Sequence, residues 1–426
     1  MPPRKNTPKK EINPLTLGAA AASKAFKGEY GAVTLDPNSH RKSREHLSTG
    51  SVVLDYIIGG RPNKHGILPC PGLPRGAITE IWGHEGAGKT TVALTASAKT
   101  CKDGARNGGP GTVVYIDWEH AVDVSYAKTI GVPVDDPNRF MLVQPTTLEQ
   151  GFGVIWTMAK SGVDLIVIDS IGAGIPEAFL KQKDSEKGEL GRVGLQAAKW
   201  SKILPELMRE ISVSRTTILA ISQLRKKINT GFGAGRGPSD TPQGGEVWKF
   251  YSWVRLGFRR VQYEKGKIYD PLTHSAIETA VKSVINAKLE KCKVSPSQGR
   301  EATIHIAFGE GIDDLRSVLD IAVAHKIIVR EGAWYSFQPA SGTVIKMQGM
   351  DKLRDALKEV PGLLDELHQR VIGKITALPD GMSLISGDEI DDESDLSDLS
   401  DLDEIIGDKP EVVVEGAEEA EEEENG

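Results

Sequence analysis

Ile78-Thr79-Glu80-Ile81-Trp82-Gly83-His84-Glu85-Gly86-Ala87-Gly88-Lys89-Thr90 is an apolar run that ends in a glycine-rich turn and opens a helical pattern over residues 89–99. The eight residues from Gly83 to Thr90 fit G-x-x-x-x-G-K-[ST] in full, and the motif's required flanks, a strand before and a helix after, are both present. Glycines let backbone N–H groups converge on phosphate oxygens, and the helix N-terminus adds a favourable potential. Lys89 reaches the outer phosphates, and the Thr90 hydroxyl can ligate Mg²⁺. The expected nucleotide contacts are Gly83, His84, Glu85, Gly86, Ala87, Gly88, Lys89, Thr90 and Thr91, with ATP or GTP as the ligand.

Working outward, the runs Val113–Ile116, Leu165–Ile168 and Thr217–Ile221 repeat the apolar, β-branched character of Ile78–Trp82, and longer helical patterns separate them. They lack a polar partner at every second residue, so both faces of each strand should be buried, as in a parallel sheet with helices on both sides. Leu165-Ile166-Val167-Ile168-Asp169 delivers an acid at a strand end, where such a sheet presents groups to a ligand crevice. Asp169 is the expected outer-sphere partner of the Mg²⁺; the alternative is a cap on the next helix. Glu119 lies just past the strand end Val114-Tyr115-Ile116-Asp117 and could orient and deprotonate an attacking water, or be a plain surface carboxylate. His84 and His120 lack partners at metal spacing and are read as structural.

The 426 residues carry a net charge of −7, unevenly distributed. Residues 387–426 hold nineteen acids and one base, Lys409, a charge of −18, which leaves +11 on residues 1–386. A basic body suits an anionic polymer as partner. The tail has too little apolar surface to offset chain entropy and is expected to be disordered. It is either a solubilising extension or a tethered polyanion that competes with nucleic acid for the basic body. Residues 1–13, rich in Lys and Pro, read as a flexible arm. The Ala-rich stretch from Leu15 to Phe26 reads as a short helix standing apart from the core. No apolar run approaches the roughly 18 residues of a membrane span. Cys70, Cys101 and Cys292 lack paired spacing, which favours a reducing compartment over disulfides or zinc.

Between Gln223 and Val247, cations flank flexible backbone: Arg225, Lys226, Lys227 and Arg236, with Phe232 and six glycines, including Gly244 and Gly245. A loop this long inside a compact domain is usually functional. Here it could track phosphates, with Phe232 near bases, or be a plain surface loop. Beyond it, Ala302–Phe308 is apolar and 350–376 is amphipathic and helical, which suggests a small α+β C-terminal domain. The expected division is an arm over 1–13, a segment with the short helix over 14–48, a nucleotide-binding core over 49–300, a small domain over 301–386 and the tail over 387–426.

Taken together, Ser48-Thr49-Gly50-Ser51, Gly72-Leu73-Pro74-Arg75-Gly76, the phosphate loop, Ile116-Asp117-Trp118-Glu119-His120-Ala121 and Val167-Ile168-Asp169-Ser170 closely resemble the bacterial RecA recombinase family. The likeness continues through Ile221-Ser222-Gln223-Leu224-Arg225, Lys249–Leu256, Gly309-Glu310-Gly311-Ile312 and Gly332-Ala333-Trp334-Tyr335-Ser336. It departs in the extra stretch Arg61–Pro71, in the Lys-rich Lys181–Lys187 and in the acidic tail, which points to a divergent or phage-encoded member.

The resemblance implies a RecA-type P-loop fold, ATP with Mg²⁺, and a DNA-dependent ATPase. Such a protein polymerises on single-stranded DNA in the cytoplasm of a bacterial cell or phage-infected host, and pairs that strand with homologous duplex. Glu119 matches the catalytic glutamate, Asp123 and Tyr126 the adenine contacts, and Gln223 the sensor of the γ-phosphate. Lys291 and Lys293, after a one-residue shift, match paired lysines that reach a neighbouring subunit's ATP. The Gln223–Val247 stretch matches the second DNA loop, and about Lys181–Gly194 the first. Phe26 would anchor the N-terminal helix on an adjacent subunit. The resemblance thus implies that 14–48 is an oligomerisation segment and that the core over 49–300 is an ATPase. Single-strand-binding or loader proteins are possible partners, and a closed ring motor or helicase is the competing assembly.

Overall fold

The computed structural model describes residues 43–63, 67–103, 108–182, 188–226, 240–242, 246–270 and 274–377. The expected arm, the helix Leu15–Phe26, the acidic tail, and Lys227, Phe232, Arg236, Gly244 and Gly245 lie outside the described residues.

The chain enters through β1 (His46–Leu47), α1 (Val52–Gly59) and β2 (Leu73–Pro74), with β1 and β2 paired antiparallel. Strands and helices then alternate: β3 (Ile78–Gly83), α2 (Lys89–Asp103), β4 (Val113–Asp117), α3 (Val124–Ile130), β5 (Phe140–Val143), α4 (Leu148–Ser161), β6 (Leu165–Asp169), α5 (Glu177–Leu180), α6 (Glu189–Ser214) and β7 (Thr217–Lys226). β8 (Asp240–Pro242) pairs with the end of β7, and α7 (Val247–Tyr251) leads into β9 (Val254–Asp270), β10 (Ser275–Cys292), β11 (Glu301–Ala307) and β12 (Gly311–Ile312). The chain closes with α8 (Asp314–Ala324), β13 (Ile328–Glu331), β14 (Trp334–Phe337), β15 (Ile345–Gln348), α9 (Met350–Glu359) and α10 (Leu363–Ala377).

The central sheet runs β12-β11-β10-β9-β3-β7-β6-β4-β5, with β8 attached to β7. From β9 to β5 every pair on this path is parallel, and from β9 to β12 every pair is antiparallel. The four runs read from the sequence form β3, β4, β6 and β7. Their consecutive residues enter two different cores: Tyr115, Val167 and Leu219 join one, while Ile116, Ile168 and Ile218 join the other. Helices cover both faces, so period-2 polarity is absent because neither face meets water. Each such side chain contributes roughly 1.5–3 kcal/mol by leaving water. The helices begin where local chemistry starts them. Thr147 and Gln150 form a reciprocal capping box at α4, and Gly162 in the left-handed region ends that helix.

The expected division between residues 300 and 301 falls inside the central sheet. Residues 301–307 pair with β10, and the separate three-stranded sheet β13-β14-β15 starts only at Ile328. Ala302, Ile304 and Ile306 are apolar in sequence, but their sheet is decided by the register of β10 beside them. A C-terminal unit with a small antiparallel sheet is present, as expected. One buried acid interrupts β3: Glu80 accepts from Ser222 Oγ at 2.9 Å and from Arg255 Nε at 2.6 Å.

Candidate nucleotide site

The site grows from the turn between β3 and α2. Gly86 and Gly88 have φ of +71° and +75°, a region that costs a side chain strain but suits glycine. Space forbids substitution as well: a Cβ on Gly88 would lie 2.1 Å from Ile306 Cδ1, and one on Gly83 2.4 Å from the Phe258 carbonyl. Lys89 folds back so that Nζ donates to the carbonyls of Gly83 at 3.0 Å and His84 at 2.7 Å. Its burial holds the ammonium pKa below the usual lysine value, against the nearby charges of Asp169, Glu119 and Glu85.

Asp169 ends β6 directly opposite. One carboxylate oxygen accepts from Thr90 Oγ1 at 2.8 Å and from Tyr115 Oη at 2.7 Å. Burial pushes its pKa up to about 6, with Glu119 adding to the rise and those two hydroxyls opposing it. A buried acid raised this far favours a cation beside it. Thr90 Oγ1 as a direct donor, with Asp169 acting through the ion's water shell, suits Mg²⁺, which typically takes one or two protein oxygens and completes its shell with substrate phosphate and water. Among the described residues no group of three or more His, Cys, Asp or Glu could hold a metal.

The turn after β4 carries Glu119. Asp117, fully buried, accepts from the backbone of Ala121 and Val122 and from Gln144 Nε2, which fixes the turn. The Trp118 N–H donates to the Asp169 carbonyl at 2.8 Å, linking the two strand ends. Gln223 Nε2, on β7, donates to Glu119 Oε1 at 2.7 Å. Lys89, Thr90, Thr91, Glu119, Tyr126, Asp169 and Gln223 thus line one cavity of about 480 Å³, with Glu85 to Gly88 forming part of its wall. Tyr126 Oη meets Thr91 Oγ1 at 3.1 Å.

Other expected residues lie apart. The Asp123 carboxylate caps α3, accepting from the N–H groups of Ser125 and Tyr126. Lys291 and Lys293 turn to the C-terminal carbonyls of α7: Lys291 Nζ donates to Lys249 and to Phe250 at 3.3 Å, and Lys293 Nζ to Phe250 at 3.4 Å. Arg225 and Lys226 stand at the end of β7, in register with Thr241 and Asp240 of β8. The sequence reading missed Ser283 of β10, Ile306 of β11, and Phe308 and Gly309 of the turn after β11, which line the cavity. The triplet Gly309-Glu310-Gly311 marked that stretch without giving it a role. The thiols take no part: burial pushes Cys70 up to about 12 and Cys101 up to about 11.

Comparison with known proteins agrees with this geometry. The family model of the RecA N-terminal domain matches residues 19–313, and that of the RecA C-terminal domain matches residues 316–376. Protein RecA of Chlorobaculum tepidum is 36% identical over 371 residues, covering 86% of this chain and 94% of that protein. Protein RecA of Corynebacterium diphtheriae is 34% identical over 403 residues, covering 92% and 96%. Protein RecA of Thermus thermophilus is 35% identical over 356 residues, covering 82% and 92%. With two family models spanning the described fold and relatives alike over most of their length, the chain belongs to the RecA family of DNA-dependent ATPases, whose general function is filament formation on DNA and strand exchange.

Proposed function

We propose that this chain hydrolyses ATP at the cavity between β3, β4, β6 and β7, and uses the bound and hydrolysed states to grip and release single-stranded DNA for pairing with homologous duplex. The observation that supports this most is the convergence of Lys89, Thr90, Asp169, Glu119 and Gln223 on one cavity. In this reading residues 83–91 cradle the phosphates, Tyr126 lies against the base, and Asp123 acts through the cap that orients Tyr126. Thr90 would hold Mg²⁺ directly and Asp169 through its water shell, and the ion would supply charge neutralisation on the phosphates. Lys89 leaves its carbonyls for phosphate oxygens, a stronger charge-assisted bond. Glu119 orients and deprotonates water, and its hydrogen bond to Gln223 lets the γ-phosphate compete for the sensor.

Arg225, Lys226, Lys227 and Arg236 track DNA phosphates, Phe232 approaches bases, and Gly244 and Gly245 give the backbone freedom to follow. Lys291 and Lys293 serve the ATP of a neighbouring subunit once a filament has formed. Base pairing makes the sequence comparison, so the protein holds backbone and shape alone. The division into arm, oligomerisation segment, ATPase core, small domain and acidic tail belongs to the same reading.

Two measurements test it. Glu119→Gln is expected to lower ATP turnover at least about 100-fold while keeping single-stranded DNA binding with a slowly hydrolysed ATP analogue. Electron microscopy of the unaltered protein under those binding conditions is expected to show continuous, nucleotide-dependent helical filaments. Wild-type turnover in Glu119→Gln overturns the site assignment, and closed six-membered rings overturn the assembly.

A further inference from the structure

Trp118 stands one residue before Glu119, and its ring turns away from the cavity into the core on the other face of the sheet. There it meets Trp200 of α6 edge to face, with centroids 6.0 Å apart, and Trp200 meets Trp248 of α7 at 4.7 Å. Trp200 and Trp248 are fully buried and Trp118 nearly so. The three rings therefore form a continuous aromatic file from the turn that carries Glu119 to two helices. Those helices adjoin the two stretches assigned above to DNA: the first, about Lys181–Gly194, runs into the start of α6, and α7 follows the long loop after β7.

The file has little slack. Gly151 and Gly174 make a notch for the Trp118 ring, where an added Cβ would stand 2.0 Å and 3.2 Å from it. The Trp118 indole N–H donates to the Thr147 carbonyl at 3.2 Å. α6 grips the far wall of the notch, because Gln196 Nε2 donates to the carbonyls of Ile171 and Gly174, and Trp200 Nε1 donates to Ile171. A shift of α6 therefore moves the wall against which Trp118 rests. At the other end the buried indole N–H of Trp248 has no hydrogen-bond partner among the described residues. Close-packed rings repack between discrete arrangements and do not deform smoothly.

We propose that Trp118 is a positioning residue for Glu119, and that Trp200 and Trp248 pass to it the placement of α6 and α7, the helices next to the stretches assigned to DNA. DNA bound by those stretches then sets where Glu119 stands over the cavity. The route runs through the core on the opposite face from the direct Gln223–Glu119 hydrogen bond, and it rests on the reading of Glu119 and of the DNA loops given above.

The experiment compares the full-length protein with Trp118→Phe, Trp248→Phe and the double variant, measuring ATP turnover with and without single-stranded DNA, DNA affinity with a slowly hydrolysed analogue, and the melting midpoint. Trp118→Phe is expected to lower the ratio of DNA-stimulated to DNA-free turnover about ten-fold while leaving DNA affinity within about two-fold. The double variant is expected to lose no more than the worse single variant, as serial parts of one route do. Ile155→Val, in the same core, is expected to keep the wild-type ratio. An unchanged ratio in Trp118→Phe, losses that multiply in the double variant, or an equal loss in Ile155→Val overturns the proposal. If Trp118→Phe does not fold, Trp248→Phe, remote from Glu119, carries the same test alone. Failure of the underlying reading looks different: unaltered protein whose turnover ignores DNA, or Glu119→Gln with wild-type turnover.

Discussion

Arg255 binds the buried Glu80 carboxylate at 2.6 Å and also reaches Glu290 at 3.4 Å, whose oxygen takes the indole N–H of Trp82 at 2.8 Å. Arg255→Met would leave the buried Glu80 carboxyl without its guanidinium, a loss of about 3–5 kcal/mol; chemical denaturation should move the midpoint accordingly, and a shift near zero would mean that Glu80 had found another partner. Lys89→Ala removes the only ammonium lining the cavity among the described residues, and steady-state ATP turnover is expected to vanish. A variant that still turned over would displace the phosphates from this loop. These residues were legible to different degrees. Lys89, Thr90 and Asp169 announce themselves by spacing and by strand-end position. Ser283, Ile306 and Phe308 do not, because a residue's arrival at a cavity from an antiparallel neighbour depends on register, which local composition does not encode.

At the scale of elements, the parallel strands were readable because burial on both faces writes a continuous apolar run. The hairpin of β9 and β10 was not, because its far half is exposed and mixes charged and apolar residues. That hairpin is fastened to α8 through a buried histidine on β11. His305 Nδ1 stands 3.1 Å from Glu264 of β9, and Nε2 stands 2.7 Å from Asp320 of α8, with Arg316 and Lys282 nearby on the acids. Burial alone would lower the imidazole pKa, yet the two carboxylates prevail and raise it above 6.5. The folded state therefore binds the proton more tightly than the unfolded state. The resulting stability is full below the free imidazole value and is lost as pH rises through the raised one. Melting curves taken from pH 5.5 to pH 8.5, from about one unit below the free imidazole value to about two above it, are expected to show a falling midpoint that His305→Gln flattens. An identical slope in both proteins would remove the histidine from the account.

For the whole molecule, charge is the property that sequence reveals and fold does not: −18 on residues 387–426 against +11 on the remainder. Deleting residues 387–426 is expected to tighten single-stranded DNA binding, most at low Mg²⁺ and low salt, where a tethered polyanion is least screened. Equal affinities across that range would leave the segment a solubilising extension. The hydrogen bonds of Lys291 and Lys293 to the end of α7 carry a kinetic corollary. An ammonium already satisfied by its own subunit's carbonyls must be drawn away before it can serve another acceptor, and if that acceptor is a neighbour's ATP, as proposed above, drawing it away requires a second subunit. Freshly diluted protein should therefore pass through a lag before reaching steady ATP turnover. The lag should shorten as protein concentration rises, and it should disappear when the enzyme is preassembled.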